Sequence, residues 1–454
     1  MVIAVAPLVQ LDLGETACGF AELRRCVPQS VYVAPEQRKI LPGAFSRAGD
    51  IVQFYASKVG PFPYEKLAHL QSETRYGGME NATAIFYSDA LFRRAGVSEG
   101  LIAHETAHQW FGDAVTERLW PHVWLSEGFA TYFAALWTQH AHGDSAFRAE
   151  MGRSRSYILS DTAAVVRRPV IDTIETELVA LLNNNSYAKG GFVLHMLRSE
   201  LGDSAFFAGI REYYTTHKHG TALSADLQLA LEHHSGKNLQ SFFDQWLRRP
   251  GYPEIRVSLD SVRPPGRSAV TVAQTGRFGY FDFPLLVVVV DRSGAQHRYK
   301  VPIAARASTR FEISQAGSEV ERITVDPEVT TLVRNLGSSA TATSATLVLN
   351  TEPDFLASVS RVEFESANGP AGPYSQYDIW VIIPPASEAN AGVVLPTSAP
   401  VFLQRGAGLV TAGGDQIRVG DQIRVWRHRS VAHGAVQGPP GAPTYTGMQI
   451  VIVR

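Results

Sequence analysis

Between Leu101 and Trp137 the chain reads LIAHETAHQWFGDAVTERLWPHVWLSEGFATYFAALW, and no other stretch restricts the possible folds as strongly. Leu101, Ile102, Ala107 and Phe111 recur at helical spacing, so His104 and His108, four residues apart, project from one helix face. Two imidazoles on one face are two preorganised metal ligands. Glu105 is rotated off that face yet stays within reach of a bound water, which is the H-E-x-x-H arrangement of a zinc hydrolase. A third ligand must come from elsewhere. Glu127 follows His108 after eighteen intervening residues, in a second apolar-periodic run (Trp124, Leu125, Phe129, Phe133, Leu136) that predicts an antiparallel helix delivering a carboxylate. Two histidines, one glutamate and an open position describe a catalytic rather than a structural site, holding one Zn2+ per chain.

The motifs around this stretch resemble the M1 family of zinc aminopeptidases, a gluzincin family. H-E-x-x-H-x18-E is followed by W-L-x-E-G-F-A as Trp124 to Ala130. The family's G-x-M-E-N signature stands at Gly77, Gly78, Met79, Glu80 and Asn81, and its third motif at Tyr187, Lys189 and Gly190. The resemblance covers roughly residues 15 to 335. It implies an α+β multidomain chain: a thermolysin-like catalytic domain with a helical half over 44–252, then a β-sandwich over 253–336. It also implies roles. His104, His108 and Glu127 hold zinc, Glu105 takes the proton of the attacking water and returns it to the leaving amine, and Tyr187 donates a hydrogen bond to the oxyanion. Glu80 holds the free ammonium of a peptide substrate, with Gly77, Gly78, Met79 and Asn81 completing the substrate-binding segment. The implied reaction removes the N-terminal residue of peptides with a free N-terminus. Two alternatives stay open. A zinc endopeptidase would use the same metal site but leave Glu80 without a task, and a noncatalytic M1-like binding protein would have no physical need for Glu105 or Tyr187.

Charge excludes some partners. Forty-one basic against forty-three acidic residues in 454 give a net charge of −2, with no nucleic-acid footprint and no polybasic membrane anchor. The longest strongly apolar run, Phe283 to Val290, falls well short of the ~20 residues of a membrane helix. Oligomeric state is not encoded in any of these patterns. Cys18 and Cys26 are the only cysteines and are either bridged across a short loop or free thiols. Their isolation together tilts the expectation to a secreted or periplasmic location over a cytoplasmic one.

The opening MVIAVAPLVQLDLGE alternates like a strand entered midway, so residues 1–43 are expected to be the remnant of the family's N-terminal β-domain and a linker. A helix is expected from near Pro42 to Val59 and a strand over Leu67 to Gln71, which puts Glu80 on a sheet edge. Ser98 is the expected N-cap of the zinc helix and Gly112 its stop. The remaining histidines have no motif partners, and His233 and His234, being adjacent, are expected on different faces of a helix. After Tyr252 short alternating runs predict the sandwich. A linker at 337–344 and a β-rich domain of unknown role at 345–454 follow, the latter with the tandem repeat DQIRVGDQIRVW. The family's C-terminal helical domain has no counterpart in this pattern.

Overall fold

Two units make up the chain, Met1–Ser258 with Val262–Ser338 and Leu259–Ser261 with Ser339–Arg454, and all of the candidate site lies in the first. The computed structural model describes residues 4–17, 27–38, 43, 45–94, 96–262, 267–291, 293–314, 320–341, 355–369, 372–382, 384, 386, 391–396, 401–405, 408–412, 416–427 and 444–453. Cys18, Cys26 and Pro42 lie outside these residues.

The first unit opens on strands β1 (Val9–Thr16) and β2 (Val27–Val33), helix α1 (Ala48–Lys58), and strands β3 (Leu67–Ser72), β4 (Gly78–Met79) and β5 (Ala84–Ser88). They form one mixed sheet in the order β1-β2-β3-β5-β4. Within residues 1–43, expected to be the remnant of an N-terminal β-domain and a linker, β2 joins this sheet and runs parallel to β3 with Gln29 to Tyr32 opposite Leu67 to Leu70. Its alternate residues Val27, Val31 and Val33 are fully buried, which fixes its register in this sheet. At the far edge β4 pairs antiparallel with β5, so Glu80 leaves the sheet edge as expected.

Next in the chain come the helices α2 (Asp89–Arg94), α3 (Glu99–His108), α4 (Trp124–Ile158), α5 (Ala163–Arg167), α6 (Gly190–His217), α7 (Ser224–Ser235) and α8 (Gln240–Leu247). A parallel strand pair, β6 (Val115–Glu117) and β7 (Gly220–Ala222), ties the loop after α3 to the end of α6. Ser98 caps α3 by accepting the Leu101 amide at 3.2 Å, a bond worth about 1 kcal/mol against alanine. Both long helices are interrupted by a glycine in left-handed backbone, Gly143 (φ 85°) within α4 and Gly202 (φ 78°) within α6. Trp110, Trp124 and Trp137 are fully buried among these helices, and each indole N–H is satisfied, Trp110 by the Gly60 carbonyl, Trp124 by Ser224 Oγ and Trp137 by Glu99 Oε1.

Seven strands complete this part of the chain: β8 (Glu254–Val262), β9 (Arg267–Gln274), β10 (Phe283–Asp291), β11 (Gln296–Ile303), β12 (Ser308–Ser314), β13 (Val320–Val325) and β14 (Arg334–Thr341). Two sheets result, β11-β10-β13 and β12-β9-β8-β14. The expected linker at 337–344 is strand as far as Thr341, because β14 adds to β8 as an edge strand. This β region is fastened to the helices. Arg155 on α4 pairs with the buried Asp326 at 2.6 Å, His195 on α6 bonds the Val329 carbonyl at 3.0 Å, and the Leu332 amide meets Met196 Sδ.

The second unit is a β fold of β15 (Phe355–Gly369), β16 (Gly372–Ile382), β17 (Ala391–Pro396), β18 (Val401–Arg405), β19 (Gly408–Ala412), β20 (Gln422–Arg427) and β21 (Thr444–Val453). Strand order is β17-β16-β15-β20-β21-β18-β19, and β17 returns to pair with β21, so five strands close on themselves around Val359, Ile379, Val381, Val393, Ile423 and Ile452. The repeated DQIRV adopts two conformations. Its second copy is strand β20, whereas in the first Arg418 lies in a turn closed by Asp421.

Candidate active site

Helix α3 carries His104 and His108 one turn apart, and α4 carries Glu127 in its first turn, where a carboxylate also favours the helix dipole. Their ligand atoms form a nearly equilateral triangle: His104 Nε2 to His108 Nε2 is 3.2 Å, His108 Nε2 to Glu127 Oε2 is 3.3 Å and His104 Nε2 to Glu127 Oε2 is 3.4 Å. Tetrahedral zinc with ligand bonds of about 2.0–2.2 Å sets its ligand atoms about 3.3–3.6 Å apart, so the triangle has the dimensions of that coordination shell. Glu127 Oε2 is buried and has no hydrogen-bond partner within the protein. An orphaned carboxylate oxygen facing two imidazoles is a donor set that could hold a divalent cation.

The neighbours of the triangle fix its orientation. His108 donates from Nδ1 to the Phe111 carbonyl at 3.1 Å, leaving Nε2 as the ligand atom, and Ser126 Oγ lies 3.1 Å from the same Nδ1. Gly112 makes room for this shell: a methyl group there would stand 2.4 Å from Ser126 Oγ, and its φ of +121° suits glycine alone. Burial opposes charge on His108, but the hydrogen bond and charge of Glu127 win and lift the ring to about 10. Glu127 in turn is held well below the usual carboxylate range, since the two imidazoles 3.3–3.4 Å from its Oε2 overcome the effect of its burial. A divalent cation entering the triangle therefore displaces a proton.

Glu105 is buried beside the triangle, and burial, seconded by Glu80 and Glu127 against the two histidines, raises its carboxyl above the ordinary range. Its side chain lies flat against Gly78, where an added Cβ would stand 2.1 Å from Glu105 Oε1. The second glycine of the pair is the indispensable one, since a Cβ on Gly77 would meet only Leu101, at 3.8 Å. Carboxylate oxygens of Glu80 and Glu105 and a ring nitrogen of His108 lie within 4.8 Å of one another. Met79 is the last residue of edge strand β4, and Asn81 turns back on its own loop, donating from Nδ2 to the Met79 carbonyl at 3.4 Å.

Tyr187 sits in a π-helical turn, Asn185–Lys189, that leads into α6. Its hydroxyl donates to Glu127 Oε1 at 2.7 Å, and its ring lies 6.2 Å from that of His104, nearly parallel to it. Burial and the Glu127 charge push the phenol far up, so it remains a proton donor at any physiological pH. Lys189, the next residue of that motif, serves elsewhere: buried and lowered to about 7 by desolvation, it donates to the Gly251 carbonyl at 2.9 Å.

Sequence reasoning missed three features. Gln109, fully buried, bonds both the Glu80 carbonyl and the Thr83 amide. Gly128 abuts Gly190 and Gly191, a methyl group on it standing 2.9 Å from the Gly190 carbonyl carbon, so α4 and the start of α6 cross closely enough to bring Tyr187 onto Glu127. The Gly-Gly after Tyr187 was a visible signal of that crossing. Finally, His233 and His234 do not diverge: both reach Glu212 Oε2, at 2.7 Å each, on the surface. A cavity of about 410 Å3 between α6, α8 and β10, lined by Met196, Phe242, Trp246, Phe283 and Leu286, includes none of the candidate site residues.

With this geometry in view, comparison with known proteins is informative. Residues 44–246 match the peptidase family M1 domain. Nearly half of the chain is thus similar to that domain. Its relatives include tricorn protease-interacting factor F2 of Thermoplasma acidophilum, 30% identical over 60% of this chain and 37% of that protein. A probable aminopeptidase 2 of Sulfurisphaera tokodaii is 31% identical over 51% and 32%, and glutamyl aminopeptidase of Bos taurus 29% identical over 51% and 26%. The chain thus spans about a third of the length of the curated relatives it matches. A crystal structure of Legionella pneumophila aminopeptidase A in complex with aspartic acid shares the fold, with a TM-score of 0.61 at 17% identity over 74% of this chain and 39% of that one. The M1 match therefore covers the whole ligand triangle, the Gly77–Asn81 segment and Tyr187. Among the described residues no helix is long and apolar enough to cross a membrane.

Proposed function

We propose that this chain is a zinc-dependent aminopeptidase that hydrolyses the N-terminal residue from peptides, with His104, His108 and Glu127 as the zinc ligands of a thermolysin-like catalytic domain. The observation that supports this most is the second carboxylate at the site: Glu80 shares one cluster with Glu105 and His108. A bare zinc hydrolase needs one base, and a second acid at its edge has a purpose when the substrate brings a cation.

A bound zinc ion supplies Lewis-acid polarisation of the scissile carbonyl and lowers the pKa of water. The chain's own residues do the rest. Glu105 takes the water's proton on its carboxylate and returns it to the leaving amine, and its raised pKa brings it closer to the working pH of a general base. The carboxylate of Glu80 pairs with the substrate's α-ammonium and fixes the cut one residue from the end. Tyr187, permanently protonated, holds Glu127 by Oε1 and so turns Oε2 to the histidines. Acting as the oxyanion donor requires its hydroxyl to turn from Glu127 to the substrate.

Metal analysis of the purified chain, joined to the hydrolysis of aminoacyl-arylamides with free and with N-acetylated amines, tests the proposal. One zinc per chain and turnover of the free amines alone are expected. Equal cleavage of blocked peptides at internal bonds would convert the reading to an endopeptidase, and zinc-loaded protein without turnover to a binding protein.

A further inference from the structure

The side chain of Gln109 uses each of its polar atoms, and none of the bonds stays within its own helical turn. It comes directly after His108 at the end of α3 and is fully buried. Its Oε1 accepts the Thr83 amide at 2.8 Å, while Nε2 donates to the Glu80 carbonyl at 2.9 Å and to Asp113 Oδ2 at 2.8 Å. The two backbone groups it holds bracket Asn81 and Ala82, in a turn closed by the Ala84 amide on the Asn81 carbonyl. Thr83 there adopts a φ of +65°, a left-handed conformation that a β-branched residue occupies only under constraint. Edge strand β4 has just two residues, so pairing in the sheet leaves Glu80 and Asn81 without ladder bonds. Among the described residues, the hydrogen bonds that tie Glu80 and Thr83 to the end of this helix are those of this one amide.

We propose that Gln109 is a positioning residue: it locks the backbone of Glu80 to the helix that carries His104 and His108, and thereby sets the distance between the substrate's ammonium and its scissile carbonyl. This rests on the aminopeptidase reading. Asn, Ser or an aliphatic side chain at 109 cannot do the same. A primary amide of this length offers an acceptor and two donors at once, matching one N–H, one C=O and one carboxylate. A glutamate offers only acceptors, and would face the Glu80 carbonyl and Asp113 without a proton to give.

Gln109→Glu and Gln109→Met, each alone and combined with Glu80→Gln, test it in the full-length chain with zinc content measured for every variant. The single variants are expected to keep one zinc and lose on the order of 10-fold in kcat/KM for free aminoacyl-arylamides, chiefly through KM, as suits one lost hydrogen bond. Their preference for free over N-acetylated amines falls by the same factor, and in the Glu80→Gln background the change at 109 has no further effect. Loss of zinc in proportion to activity, an unchanged preference, or additive effects with Glu80→Gln would each overturn the proposal. Amide hydrogen exchange on the wild-type chain gives a measurement free of any folding defect: the Thr83 amide is expected to be protected like helix α3, and exchange at the rate of an open loop would overturn the proposal as well. A wild type that does not prefer free amines removes the aminopeptidase reading, whereas a wild-type preference that survives substitution at 109 removes this inference alone.

Discussion

Two clusters of the same composition, two histidines and one glutamate, stand in the helical part of this chain and have different physics. In His104, His108 and Glu127 the ligand atoms are 3.2–3.4 Å apart, His108 and Glu127 are buried, and one carboxylate oxygen has no partner. In Glu212, His233 and His234 one exposed carboxylate oxygen lies 2.7 Å from a nitrogen of each ring. The second spacing is that of hydrogen bonds already made; the first is too long for good hydrogen bonds and right for three atoms sharing a cation. Residue type and proximity are therefore insufficient to define a metal centre. An unmet lone pair, kept dry, is what separates the two.

The sharpest way to break this comparison is to remove one ligand from each cluster. Glu127→Ala or His108→Ala should take zinc content from one per chain to near zero and abolish turnover, while His234→Ala should leave both unchanged. Zinc retained at full stoichiometry in Glu127→Ala would erase the distinction. Next in size is Glu105→Gln, which should keep the metal and cost about 10²- to 10⁴-fold in kcat, the range for losing a general base. The pH profile sharpens this. A base works only when deprotonated, so kcat/KM falls as pH drops through the pKa of Glu105, and this acid limb should be missing from the residual activity of Glu105→Gln. A limb that persists unchanged in that variant would remove Glu105 from the base role.

Tyr187→Phe is expected to lower kcat by about 10²- to 10³-fold with little change in KM, as for one lost oxyanion donor. Because the hydroxyl also holds Glu127, zinc affinity is the discriminating readout: if affinity falls and kcat at saturating zinc does not, the tyrosine serves the ligand rather than the substrate. Smallest of all is the double substitution His233→Ala with His234→Ala. Solvent screens this exposed pair, so the loss of stability should stay within about 1 kcal/mol in chemical denaturation, and a larger loss would mean that the surface cluster holds more than hydrogen bonds.

Legibility in the sequence tracks the range of the interactions. His104, Glu105 and His108 were legible because a four-residue period on one helix is a local property, as was the Ser98 cap. Glu127 and Tyr187 came through the motifs, at the cost of not foreseeing that they touch. Alternation marked β1 as a strand, whereas β2 lay in the stretch expected to be linker, and the sheet that takes both was not legible, since register is decided by partners distant in the chain. Gln109 was invisible for the same reason: its partners Glu80 and Thr83 lie 29 and 26 residues away, and no spacing rule links a helix end to a strand edge. His233 and His234 misled because adjacent helical positions point about 100° apart, yet long side chains near a helix end converge on one carboxylate.

The fastening of Arg155, His195 and Met196 to residues 326–332 has a consequence for how little of this chain can live alone. The recognisable M1 region ends at residue 246, but a fragment cut there would leave the Arg155 guanidinium without Asp326, His195 without its carbonyl and Met196 open to water. What such a cut costs is chiefly buried apolar surface, with Met196 and Trp246 losing Leu332 and Phe281, at about 25 cal/mol for each Å2 returned to water. The smallest autonomous piece therefore extends to about Ser338, and any shuffling of this domain between proteins would have to carry the β strands along as part of the enzyme's own skeleton.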